Sequence, residues 1–111
     1  MKSNNLTNFE YLKANMAKIE YNIYIVRTSI MICNALNITI DILTNKNRKN
    51  DLVLNRIVFA KLMILKKARI CDISEILNIH HSTIQYYKNL ELKYDKKLSE
   101  LYYKTEKNLL Y

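Results

Sequence analysis

The stretch from Arg69 to Tyr86 reads R-I-C-D-I-S-E-I-L-N-I-H-H-S-T-I-Q-Y. Ile73, Leu77, Ile79, Ile84 and Tyr87 share one helical face, while His80, His81, Ser82, Gln85 and Tyr86 share the other. That spacing predicts two short helices crossing at a tight turn, a helix-turn-helix. Its first helix is expected from about Cys71 to Leu77, the turn at Asn78 to His80, and the second helix from His81 to about Lys93. Asn78 occupies the turn position that needs positive φ, which Asn tolerates better than most residues. A second helix held this way can enter a DNA major groove with polar residues at its N-terminus.

The rest of the chain reads as helix too. Among 111 residues there is no Gly and no Pro. Hairpin and strand punctuation is therefore missing, and the expected class is all-α. A stripe of Phe9, Leu12, Met16, Ile19, Ile23, Val26 and Ile30 in steps of three and four predicts a long N-terminal amphipathic helix. The stripe suits either a coiled coil or packing on its own domain, and Tyr21, Tyr24 and Ile25 widen it. The helix, or a successor, continues to about Leu36. Thr39 is expected to cap a short helix at Ile40–Leu43.

Residues 44–50 form a basic loop containing Lys46, Arg48 and Lys49. A long helix follows from about Asp51 to Lys67, with Leu52, Ile57, Phe59, Ala60, Met63 and Ile64 as core candidates. Asp95 should cap a last helix carrying Leu98, Leu101 and Tyr102, ending near Asn108. Two segments result: residues 1–29 as a packing or dimerisation arm, and 30–111 as the helix-turn-helix domain.

The net charge of +8 points to a polyanionic partner, although AT-rich coding would also raise Lys at the expense of Arg. Cys33 and Cys71 are expected to be reduced and mostly buried, which fits a cytoplasmic setting. No metal-ligand spacing and no catalytic constellation is present, so neither an enzyme nor a cofactor is expected. The apolar run Ile23 to Ile42 is broken by Arg27, Asn34, Asn37 and Asp41, which argues against a membrane span.

The run from about Ile30 to Tyr102 resembles the C-terminal DNA-binding domain of the bacterial replication initiator DnaA, a bundle with a Trp-repressor-like helix-turn-helix. Three segments carry the resemblance: Asn37-Ile-Thr-Ile-Asp-Ile-Leu-Thr44, Asn55-Arg-Ile-Val-Phe-Ala60 after a basic loop, and Ile73-Ser-Glu-Ile-Leu-Asn-Ile-His-His-Ser-Thr-Ile84. The resemblance implies double-stranded DNA as the partner. Arg48, with Lys46 or Lys49, would reach a minor groove or phosphate, and Arg56 would hold a phosphate. His81 and Ser82 would contact base edges, and Thr83 a phosphate or a thymine methyl.

His80, Gln85, Tyr86 and Asn89 complete the expected DNA-facing set, since Gln and Asn can pair bidentately with adenine. The family's Asp stands here as His80, its preceding basic residue as Ile79, its two glycines as Ser74 and Asn78, and its helix-capping Ser or Thr as Arg69. Its target sequence therefore does not carry over. Its ATPase is absent, because a chain without glycine cannot form a phosphate-binding glycine loop, and no nucleotide is expected. The implied function is a DNA-binding regulator of transcription or replication, of phage or mobile-element type. The alternative is a structural or adaptor protein that keeps the fold for protein contacts, and a homodimer or protein partner on the N-terminal helix suits either.

Overall fold

A computed structural model describes residues 8–45 and 49–109. Among these there is no strand. Six α-helices follow in order: α1 (Asn8–Ala35), α2 (Ile40–Leu43), α3 (Asn50–Leu65), α4 (Ile70–Leu77), α5 (His81–Asn89) and α6 (Lys96–Leu109), with a 3₁₀ turn at Leu92–Tyr94. The chain is all-α, as its composition requires.

α3 is the central helix. It packs against α1, α2, α4, α5 and α6. Val58, Phe59, Ala60, Leu62 and Met63 are wholly buried on it. Of the expected core set, Ile57, Phe59, Ala60 and Met63 are buried, whereas Leu52 and Ile64 are only half-buried. Leu54, Val58 and Leu62 join the core instead. A helix covered on most sides has no single apolar stripe, so periodicity could not select these positions.

α1 is continuous across residues 29 and 30, so the expected division between arm and domain falls inside one helix. Its contribution to the core is Ile25, Ile32 and Cys33, with Thr28 and Ser29 beside them. The Phe9–Ile30 stripe lies elsewhere: all seven side chains are exposed, by 48% to 69%. Packing of the stripe on its own domain is thereby corrected; a different face of α1 does that work.

Three helices end in a left-handed residue although the chain has no glycine: Asn37 (φ 59), Lys67 (φ 74) and Asn78 (φ 53). Each makes the same pair of reversed hydrogen bonds. Ile38 N–H reaches Cys33 O at 3.0 Å, Ala68 N–H reaches Met63 O at 3.0 Å, and Ile79 N–H reaches Ser74 O at 3.1 Å. These bonds satisfy helix-end carbonyls and turn the chain sharply.

Side chains also satisfy helix ends. Tyr24 donates to Lys66 O at 2.7 Å, and Asn108 Nδ2 donates to Ala35 O at 3.2 Å. Thr39 caps α2 by accepting from Ile42 N–H, and Asp95 caps α6 by accepting from Leu98 N–H. Cys33 is buried, and burial pushes its thiol up to about 11. Cys71 is exposed, contrary to expectation, because it lies in the first turn of α4 off the Ile73–Leu77 face.

Candidate nucleic-acid interface

α4 and α5 meet at a turn built without glycine. Asn78 takes the left-handed conformation, φ 53 and ψ 48, as the sequence predicts. Ser74 stands where the resembled family has glycine. Its carbonyl accepts from Ile79 N–H, and its hydroxyl donates to Ile79 O. The hydroxyl thus ties both sides of the turn, and the residue is buried. Ile73, Leu77, Ile84 and Tyr87 are buried beneath the pair and Ile79 is half-buried, which fixes α5 on the core.

The opposite face of α5 is open. His80, His81, Ser82, Gln85, Tyr86 and Asn89 are exposed, and Thr83 is half-buried. His80 is the N-cap: its Nδ1 accepts from Ser82 N–H at 3.1 Å and lies 2.8 Å from Ser82 Oγ. With Nδ1 accepting, Nε2 is the ring position left to donate outward. The His80 and His81 rings stand edge-to-face, 6.1 Å apart. The helix start therefore presents two imidazoles and a hydroxyl together, while the Ser82 and Thr83 N–H groups are taken up by His80; such side-chain donors suit acceptor edges.

α5 ends at Asn89, short of the expected Lys93. Beyond it Leu90 and Leu92 turn back against the core. Lys61 on α3 reaches this end, donating to Lys88 O at 3.2 Å and to Leu90 O. A cation on the last carbonyls is the usual electrostatic complement of a helix C-terminus. Partial desolvation lowers the Lys61 ammonium below its ordinary range.

Of the basic loop, Lys46 and Arg48 lie outside the described residues, and Lys49 is exposed at the start of α3. Arg56 does not stand out toward a phosphate. It is buried, its Nε donates to Leu43 O at 2.9 Å, and one terminal nitrogen donates to Asn45 O. Leu43 ends α2 and Asn45 follows it, so Arg56 holds the chain where it leaves α2.

Tyr21 is the residue sequence reading missed. The Ser or Thr cap of the resembled family is replaced before α4 by Arg69, whose side chain makes no capping hydrogen bond. Tyr21 of α1 supplies a hydroxyl instead. It accepts from Arg69 N–H at 3.1 Å and donates to Asp72 Oδ2 at 2.7 Å. Arg69 Nε also reaches Asp72 Oδ2 at 3.0 Å, and its guanidinium lies 4.7 Å from the centre of the Tyr21 ring. Tyr21 thus meets, across 48 positions of sequence, the N-cap N–H that the acidic half of a capping box would otherwise reach, and Asp72 holds the tyrosine hydroxyl in place. No local pattern signals such a partner.

Desolvation raises the Asp72 carboxyl, but the Tyr21 and Arg69 hydrogen bonds outweigh it and hold the group below its ordinary value. A depressed carboxylate stabilises the fold above its unfolded pKa of about 4 and loses that contribution as pH falls through the folded value. Tyr21→Phe should therefore cost about 1–2 kcal/mol near neutral pH. The deficit should narrow at about pH 3, as read from urea unfolding midpoints. An equal deficit at both pH values would show that Asp72 is not the linked group.

Among the described residues no three His, Cys, Asp or Glu side chains gather where they could hold a metal ion. No helix among them is long and apolar enough to cross a membrane. Compared with known proteins, the chain matches no family model, no curated protein and no solved structure.

Proposed function

We propose that this chain is a non-enzymatic, sequence-preferring double-stranded DNA-binding protein that inserts the N-terminus of α5 into the major groove. One observation carries the reading. α5 is anchored by Ile84 and Tyr87, while His80, His81, Ser82, Gln85, Tyr86 and Asn89 stand exposed, on a chain of net charge +8. Phosphate contacts would come from the basic loop, Lys46, Arg48 and Lys49, and from Thr83 at the helix start. Arg56 serves by holding the chain where it leaves α2.

Because Nε2 is the donor, His80 suits an acceptor edge, such as guanine O6 or N7, rather than a cytosine amino group. The cellular task would be control of transcription or replication in a phage or mobile element, in a bacterial cytoplasm. The DnaA resemblance supports this reading through the quoted residues alone.

Mobility shift against a pool of random duplexes, followed by selection, tests it. Binding should weaken about a thousandfold or more between roughly 50 and 200 mM salt if six or more phosphates are contacted. His81→Ala should cost about 1–3 kcal/mol on the selected site and blur one base position. No binding at low salt would sink the proposal. It would favour instead the structural or adaptor role, which the absence of the family's Asp and basic residue at His80 and Ile79 already supports.

A further inference from the structure

The exposed half of α1 remains unexplained by α5. Its apolar stripe follows a heptad: Phe9, Met16 and Ile23 at the first core position, Leu12, Ile19 and Val26 at the second. These six side chains are all about half exposed or more. At on the order of 100 Å² each they present about 600 Å² of contiguous apolar surface, the upper end of what a monomer leaves uncovered. With the stems of flanking residues this approaches the roughly 800 Å² per partner of a stable interface.

We propose that this half of α1 pairs antiparallel with the same segment of a second copy of this chain. In the pairing Phe9 meets the second copy's Val26, Leu12 its Ile23, and Met16 its Ile19, each contact repeated by symmetry along about 26 Å of helix. Charge decides the arrangement. In this register Lys13 stands beside the second copy's Glu20, twice, and Asn15 beside its Asn22. Sliding by one heptad would set Glu20 against Glu20 and Lys13 against Arg27, both repulsive.

Sliding by two heptads would set Glu20 beside Arg27, but it strips Phe9 and Leu12 from the seam and needs Cys33 in it, and Cys33 is already buried within its own domain. A parallel pair would face Lys13, Glu20 and Arg27 with asparagines and gain no ion pair. It would also place β-branched Ile19 and Val26 at the second core position, which disfavours two parallel strands. The antiparallel pair sends the two α3–α6 bodies to opposite ends. It also brings each Phe9 to the mouth of an apolar groove of about 520 Å³ on the second copy, lined by Val26, Ile30, Ile38, Ile40 and Ile76.

The test is sedimentation equilibrium of the full chain at low salt. The chain should be dimeric at tens of micromolar. Lys13→Glu and Glu20→Lys should each weaken association about tenfold, and an equimolar mixture of the two variants should restore it as a heterodimer. Helix content and melting temperature of the diluted monomers should not change, because both residues are exposed. Disulfide trapping in a Cys71→Ser background should join Leu12→Cys chains to Ile23→Cys chains and not Leu12→Cys chains to one another. A monomer up to roughly 100 µM, single swaps without effect, or self-trapping of Leu12→Cys would each overturn the proposal.

Discussion

Arg56→Met will lower the free energy of unfolding by about 3 kcal/mol. The guanidinium is buried and donates to two backbone carbonyls, Leu43 O and Asn45 O, where the chain leaves α2 for the basic loop. Methionine matches the stem in length and apolar character but withdraws both charge-assisted donors. Arg56→Lys should recover little, because one ammonium cannot reproduce a planar fork directed at two acceptors. Urea unfolding of the three proteins measures the effect. A phosphate-binding arginine would show the opposite pattern: loss of DNA affinity with stability unchanged. That outcome would return Arg56 to the interface.

Phe59→Ala will be the more damaging change, at about 3–5 kcal/mol. Phe59 is wholly buried on α3, the helix that touches every other α-helix. Removing its ring leaves a cavity inside the core rather than at an edge that could collapse. For a domain of this size the melting temperature should fall by about 15–25 °C, read by circular dichroism. Phe59→Leu should recover most of the loss. A fall of only a few degrees would mean that the core can close around the gap.

The sequence was legible where a single local rule decided the outcome. The Asn78 turn, the Thr39 and Asp95 caps and the burial of Ile73, Leu77, Ile84 and Tyr87 follow from spacing and side-chain chemistry within a few residues. Partners far along the chain were not legible. Tyr21 caps α4 across 48 positions, Lys61 closes α5, and Arg56 turns inward onto the carbonyls of Leu43 and Asn45.

The heptad stripe taught the opposite lesson. Its strong periodicity identified the helix, but the structure buries the weaker set of Ile25, Ile32 and Cys33 and leaves the stripe bare. A helix with two apolar faces gives no sign in its sequence of which one its own domain uses.

The three left-handed helix ends bear on how this chain unfolds. Asn37, Lys67 and Asn78 each hold a conformation that costs a side-chain-bearing residue on the order of 1 kcal/mol or more in the folded state. Glycine would relieve that strain, yet it would also widen the range of backbone states available to the denatured chain. A polypeptide without a single glycine has fewer backbone states to surrender at each position when it orders, an effect that its lack of proline reduces without touching these three corners. Strain held at three corners is thereby partly offset by what the unfolded chain never had to lose.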